Sequence, residues 1–345
     1  MDLLFEPTER KLCPICGSAG EVIYSGLHDM LYHSPGEWDF RACANQACDL
    51  IWLDPIPQPD DLVRAYRDYY THHAPTESRA ARDNLVDGWI SKNYLARRFG
   101  YPFPSYWLLN TLAAGITKLL PRMRANLNHR VGHLPYEAGG HLLEIGCGNG
   151  DFIQAMQDLG WTATGVEMDE RAASVAKGRG LNVFNGVIEN LSLPENMYSA
   201  IVMNHVVEHL ASPLETLSRC CDLLRPTGQL ILTTPNPSGI GHRLFRGAWR
   251  GLEPPRHMQL FGPKSAEACI ERCGLEITEM RPTLHWADGI LRQSMLLAFP
   301  ALRSNLFGKA LAVAAGGGIA QLEATLVAIG YSFGEEWLIK ARKAG

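Results

Sequence analysis

Apolar residues fall into two arrangements along the carboxyl-terminal two thirds of the chain. Short apolar runs, too short for helices, sit in His141-Leu-Leu-Glu-Ile145, Thr162-Ala-Thr-Gly-Val-Glu167, Leu181 to Gly186, Ser199-Ala-Ile-Val-Met-Asn204-His205 and Gly228 to Asn236, and each reads as a strand. Leu275 to Thr283 and Glu335 to Arg342 read as two more. Between the runs, apolar positions recur at helical spacing, as with Phe152, Ile153, Met156 and Leu159 on one face. Strands alternating with helices predict a mostly parallel sheet covered on both faces, with a ligand at the carboxyl ends of the strands.

The front of the chain is patterned differently. Asp54-Pro-Ile-Pro-Gln-Pro-Asp-Asp61 is a proline-rich boundary, and Asp60 and Asp61 favour a helix start near Leu62. Leu62, Val63, Tyr66, Tyr69 and Tyr70 keep helical spacing, and Ala74 to Val131 reads as mainly helical with a break at Tyr101-Pro-Phe-Pro104. The expected domains are residues 1–58, a helical cap at 59–135, and an α/β domain at 136–345 with a helical insertion at about 286–330. Within that insertion Ala310 to Leu322 is the longest apolar run; it holds three consecutive glycines and is too short to cross a bilayer.

Composition alters this picture in only one respect. Hydrophobic residues at 46% and charged residues at 20% are ordinary globular values, and a net charge of −4 excludes a generally basic nucleic-acid coat. The average conceals acid-free stretches. From Gly88 to Tyr136 there are seven basic residues and no acid, interleaved with Trp89, Tyr94, Phe99, Tyr101, Phe103, Tyr106 and Trp107. Leu223–Leu252 and Gly289–Leu322 are also acid-free. Such faces suit an anionic membrane surface, a phosphate-bearing substrate, a second subunit in a homodimer, or plain packing over the sheet. No motif for base readout accompanies them, so nucleic acid is not expected. The amino terminus has no basic segment followed by an apolar one, which predicts a cytoplasmic protein, with peripheral contact at the inner membrane face as the membrane option.

Four of the nine cysteines form two close pairs, Cys13-Pro-Ile-Cys16 and Cys43-Ala-Asn-Gln-Ala-Cys48. This spacing predicts a zinc-ribbon-like knuckle with a structural zinc held by four thiolates, against a reading as buried or redox-active thiols. Cys147, Cys220, Cys221, Cys269 and Cys273 read as small core fillers.

The first strand of the α/β domain runs into Glu144-Ile-Gly146-Cys147-Gly148-Asn-Gly150. A dinucleotide loop would need glycine where Asp151 stands. The acid-x-Gly-x-Gly-x-Gly pattern instead resembles motif I of class I S-adenosylmethionine-dependent methyltransferases. The Asn204-His-Val-Val-Glu-His-Leu210, Thr234-Pro-Asn236, Pro254-Pro-Arg-His-Met-Gln-Leu-Phe261 and Gly334-Glu-Glu-Trp337 runs resemble one subfamily, whose members often carry a cysteine knuckle followed by a segment similar to Trp52-Leu-Asp-Pro-Ile-Pro57. Enzymes that methylate nucleotide-linked deoxysugars share that front end.

The resemblance implies a Rossmann-like seven-stranded methyltransferase sheet with a small zinc-ribbon-like domain in front and helical additions. It implies S-adenosyl-L-methionine held by Glu144, Gly146, Cys147, Gly148 and Gly150, by Glu167 on the ribose, by Met168, Val187 and Ile188 around the adenine, and by Asn204 and His205 near the methionine tail. The acid that the family often has at position 187 is missing, leaving adenine recognition to the backbone there. Because methyl transfer to a hydroxyl needs a base, His205, Glu208, His209 and His257 are the catalytic candidates. Each also has a bland role, in packing or bracing the helix entry. Trp249 to Phe261 falls where the family builds its substrate lid, and Arg250 and Arg256 suggest a positively charged rim. The expected activity is methyl transfer to an oxygen or carbon nucleophile of a glycan, nucleotide-sugar or lipid-linked small-molecule acceptor; the alternative is a module that binds S-adenosylmethionine without turnover.

Overall fold

A computed structural model describes residues 7–65, 88–104 and 106–345. The predicted helical residues Tyr66, Tyr69, Tyr70 and 74–87 lie outside the described residues. The strands are β1 (Gly20–Leu27), β2 (Trp38–Cys43), β3 (Ile51–Asp54), β4 (His141–Ile145), β5 (Thr162–Glu167), β6 (Val183–Asn185), β7 (Tyr198–Asn204), β8 (Leu224–Pro235), β9 (Gln259–Leu260), β10 (Leu275–Thr283) and β11 (Glu336–Lys343). Seven of them form one mixed sheet in the order β10-β11-β8-β7-β4-β5-β6, and four form a second in the order β1-β2-β3-β9. The parallel ladders β4–β5, β4–β7 and β5–β6 form its doubly wound part. β10 and β11 pair antiparallel at the far edge.

Two strands differ from the expected limits. The fifth strand of the large sheet begins at Leu224, four residues before the predicted Gly228, and the third is reduced to Val183–Asn185. Neither difference carries an apolar mark: the residues added to β8, Arg225-Pro-Thr227, are not buried, and the edge strand β6 leaves Phe184 and Asn185 exposed.

By its internal contacts the chain forms two compact units, one of Met1–Tyr69, Asn204–Ser218 and Leu232–Gly345, the other of Tyr70–Met203 and Arg219–Ile231. In the second, helices span Trp89–Phe99, Trp107–Leu119 and Pro121–Arg130. The first ends where the chain meets Gly100 in the left-handed region, and Tyr101-Pro-Phe-Pro104 follows it. Helix Asp151–Asp158 buries Ile153 and Met156.

In the first unit, the β1–β2 hairpin packs Trp38 and Phe40 with Leu53, Trp249, Leu252 and Leu260 in one core. The predicted insertion forms helices Ala287–Ala298 and Leu306–Ala328. The second of these corrects the expectation of a short, glycine-interrupted run: it continues for 23 residues through Gly316-Gly-Gly318. By length and composition it is apolar enough to cross a membrane, the one such helix among the described residues. A stripe at every fourth position, Gly308, Ala312, Gly316, Ala320 and Ala324, is buried. A Cβ on Gly316 would stand 3.0 Å from the Arg292 backbone nitrogen, so small residues let helix Ala287–Ala298 approach closely.

Candidate functional site

The glycine-rich loop lies where β4 ends. Gly146, Gly148 and Gly150 have φ of 71°, 53° and 82°, in the left-handed region. At Gly150 a Cβ would lie 2.3 Å from Leu181 Cδ1, so this position tolerates no side chain on either count. Gly165 on β5 serves the same loop differently, since a Cβ there would meet the Cys147 Sγ at 2.5 Å. Cys147 is buried, and burial pushes its thiol well above the usual range, which makes it a filler rather than a nucleophile.

Glu167 closes β5 and is buried. Its Oε2 accepts the Gly148 amide at 2.8 Å and its Oε1 accepts the Asp169 amide at 2.8 Å. Burial raises its pKa, and these amides pull against that rise. The loop and the acid are thereby fixed to each other. Met168 and Val187 are exposed and Ile188 is buried; the Gly186 amide donates to the Glu167 carbonyl at 3.0 Å, fixing the turn that carries them. Glu144 is buried at the end of β4.

The histidines lie in the first unit. Asn204 ends β7 and accepts from Thr233 Oγ1 at 3.2 Å. His205 follows with φ of 53°, a strained conformation for a side chain of this size. Its Nδ1 lies 3.1 Å from Glu208 Oε1 and its Nε2 lies 3.0 Å from Glu336 Oε1. Burial opposes charge on this ring, but the Glu336 carboxylate and the hydrogen bonds of both acids raise its pKa well above 6.5. It is an imidazolium donating from both nitrogens. Glu208, whose Oε2 accepts from Thr234 Oγ1 at 3.0 Å, is drawn down to about 2 against its own burial by the hydrogen bond and charge of His205.

His209 and His257 stack edge to face, with ring centroids 4.6 Å apart. The Nδ1 of His209 donates to the Arg256 carbonyl at 3.0 Å, and the Nδ1 of His257 donates to the Gly251 carbonyl at 2.7 Å. A carbonyl can only accept, which places each ring's basic lone pair on Nε2. Burial lowers both pKa values, that of His257 to about 3. Glu208, His209 and His257 converge, each bringing one atom to within 4.8 Å of the others.

The expected basic rim is overturned. Arg256 is fully buried, forked onto Asp29 at 2.8 and 2.9 Å, and its Nε donates to Glu253 Oε1 at 2.8 Å. Arg250, also buried, donates to Glu253 Oε2 and to Gln293 Oε1. The Asp29–Arg256–Glu253–Arg250 chain is charge-neutral and internal. Asp29 also accepts from the amides of Leu31, Tyr32 and Ser34, which shapes the loop after β1. That loop and the 247–254 segment line a half-open pocket of about 270 Å³, with Leu27, Met30, Leu31, Trp249, Leu252 and Leu297 on its walls. The sequence reading missed Asp29, Glu253 and Glu336; only the acidic pair in Gly334-Glu-Glu-Trp337 offered a local signal.

The four knuckle cysteines converge as one group, with Cys13 and Cys48 sulfurs 3.8 Å apart and Cys16 and Cys43 sulfurs 3.4 Å apart. Tetrahedral zinc with bonds of about 2.3 Å spaces its sulfurs by about 3.8 Å, so the cluster is compatible with such an ion. Burial pushes the Cys43 thiol up to about 11; at Cys16 burial also raises the thiol, but hydrogen bonds with Ser18, Cys43 and Cys13 together bring it down to about 6.

A glycine loop after β4, an acid closing β5 and an antiparallel pair at the sheet edge define the fold of class I S-adenosylmethionine-dependent methyltransferases. A family model described as a methyltransferase domain matches residues 112–280, just under half of the chain. It is similar to the ubiquinone biosynthesis O-methyltransferase of Cereibacter sphaeroides, 33% identical over 155 residues, which cover 41% of this chain and 62% of that one. It is also similar to a probable S-adenosylmethionine-dependent methyltransferase of Mycolicibacterium smegmatis, 31% identical over 153 residues covering 44% and 57%. The chain therefore spans less than two thirds of these relatives' length. Among solved structures, a methyltransferase from Thermotoga maritima, described as a possible histamine N-methyltransferase, aligns with a TM-score of 0.44 at 19% identity, over 68% of this chain and 96% of that one.

Proposed function

We propose that the protein transfers the methyl group of S-adenosylmethionine to an oxygen or carbon nucleophile of a small acceptor. Of the glycan, nucleotide-sugar and lipid-linked classes, the apolar cavity and the quinone-pathway relatives favour a lipid-linked molecule. The carrying observation is Glu167, held by two amides at the end of β5. A carboxylate with one bond on each oxygen retains acceptor capacity on both, which fits the vicinal hydroxyls of a ribose. Gly146, Cys147, Gly148 and Gly150 bring backbone close to the ligand, and Met168, Val187 and Ile188 supply the adenine surface, with Glu144 behind the loop. When bound, S-adenosylmethionine supplies an electrophilic methyl on a sulfonium.

The remaining roles belong to the chain. His209, whose Nδ1 donates to the Arg256 carbonyl, is the candidate for the acceptor's proton, and His257 against its ring holds it in place. His205, with a carboxylate on each nitrogen, is a positioning residue, and Glu208 ties it to Thr234. Cys13, Cys16, Cys43 and Cys48 would hold a structural zinc with no open position.

Calorimetry with S-adenosylhomocysteine and tritiated methyl transfer into fractionated lysate test this reading together. Glu167→Ala should weaken cofactor affinity at least tenfold, as expected for a charged hydrogen-bonding partner. Cofactor binding with no transfer into any lipid, glycan or small-molecule fraction would instead identify a non-catalytic module.

A further inference from the structure

The acid-free stretch contains a surface that methyl transfer does not use. Helix Trp107–Leu119 buries Ala113 and Thr117 and turns the opposite face outward. On that face and at its ends Trp107 is 78% exposed and Leu119 81%, with Tyr106, Leu108, Leu112 and Leu120 also exposed. Leu108 and Leu112 are one turn apart, and Leu119 continues the stripe two turns on. Six large apolar side chains on one helix and its borders exceed what scattered surface residues need.

Along the stretch that carries this helix the charge has one sign. Arg97 reaches the helix itself, donating to Thr111 Oγ1 at 3.0 Å one position from Leu112. Lys118 and Arg124 are exposed beside Leu119 and Leu120. No acidic residue occurs from Gly88 to Tyr136. A protein partner's apolar patch would not require a rim without acids, whereas an anionic bilayer would be repelled by them. Trp and Tyr at the helix start, leucines along it and basic residues at its flanks match what an interfacial helix presents to lipid.

We propose that helix Trp107–Leu119 is a docking surface for an anionic lipid bilayer, lying in the headgroup plane with its leucine stripe in the acyl boundary. The inference goes beyond the catalytic reading and does not depend on it, because none of these residues contributes to the cofactor loop or the histidine cluster.

The test is co-sedimentation of the full chain with phosphatidylcholine vesicles, with and without phosphatidylglycerol. The protein should bind the anionic vesicles at least tenfold more tightly than the neutral ones, and raised salt should remove that difference. The double variant Trp107→Glu with Leu119→Glu, and separately Arg97→Glu with Arg124→Glu, should each lose at least tenfold of that binding. Both should keep the S-adenosylhomocysteine affinity and melting temperature of the parent, since all four side chains are exposed. Failure to bind anionic vesicles, or undiminished binding by both variants, overturns the proposal. So does a concentration-dependent dimer that Trp107→Glu with Leu119→Glu abolishes, because it would assign the stripe to a second copy.

Discussion

The imidazole of His205 is held between Glu208 and Glu336, and a ring that already carries two protons cannot take up a third. The sequence places His205, Glu208 and His209 within five residues of one another but says nothing of Glu336, 131 positions away, which decides what His205 is. His209→Gln should lower turnover by roughly a hundredfold or more, the usual worth of a general base, while leaving S-adenosylhomocysteine affinity unchanged; equal turnover would remove His209 from the reaction. Titration offers a second check. The unfolded chain protonates His257 near pH 6.5 and the folded chain only at about 3, so stability is lost as pH falls through that window. Asp29, Glu208 and Glu253 have folded pKa values below their unfolded ones. Their contributions are whole above about pH 4.5 and fade below it. His205 runs the other way, its contribution being lost as pH rises through its elevated folded value. Glu335, raised to about 7 by burial, opposes this loss by gaining stability as pH falls through the same range, so the melting temperature of His257→Phe should fall less steeply below about pH 6.5 than that of the parent.

Among the elements, the parallel strands and the glycine loop were legible because each signal is contiguous. A helical insertion was expected at 286–330, but the length of helix Leu306–Ala328 was not legible: apart from Glu323 its buried residues are Gly and Ala while Leu306, Phe307, Leu311 and Val313 are exposed, so a hydrophobic-against-polar reading has little contrast to follow. Gly316→Leu should force it away from the Arg292 backbone and cost about 1–3 kcal/mol in urea unfolding. Gly317→Ala, where a Cβ meets nothing within 4 Å, should be neutral or stabilising by up to about 1 kcal/mol. The β1–β2 hairpin gives a different test. Gly20 pairs with Cys43 at its cysteine end and Leu27 with Trp38 at its cavity end. Purified protein should contain one zinc per chain, and Cys16→Ser should reduce it and lower the melting temperature by more than about 4 °C.

For the molecule as a whole, the division into a front domain and an α/β domain follows composition and cysteine spacing, but β3 pairs with β9, and Asp29 is forked onto Arg256. No local pattern announces such a partnership, and an arginine among prolines reads as surface. Breaking it should be expensive: Asp29→Ala leaves a buried guanidinium short of its partner and should cost about 3–5 kcal/mol, seen as a large fall in the urea midpoint with no change in slope. The same pair has a consequence during synthesis. Asp29 leaves the ribosome 227 residues ahead of Arg256, an interval of about 10–45 s at ordinary elongation rates. Through that time the nascent hairpin has neither its buried counter-ion nor the strand that completes its sheet. The β1–β2–β3 ladders, the Arg41–Asp54 pair and the cysteine cluster, all complete by residue 54, are then what the finished fold has available to keep the emerging segment from pairing with the wrong neighbour.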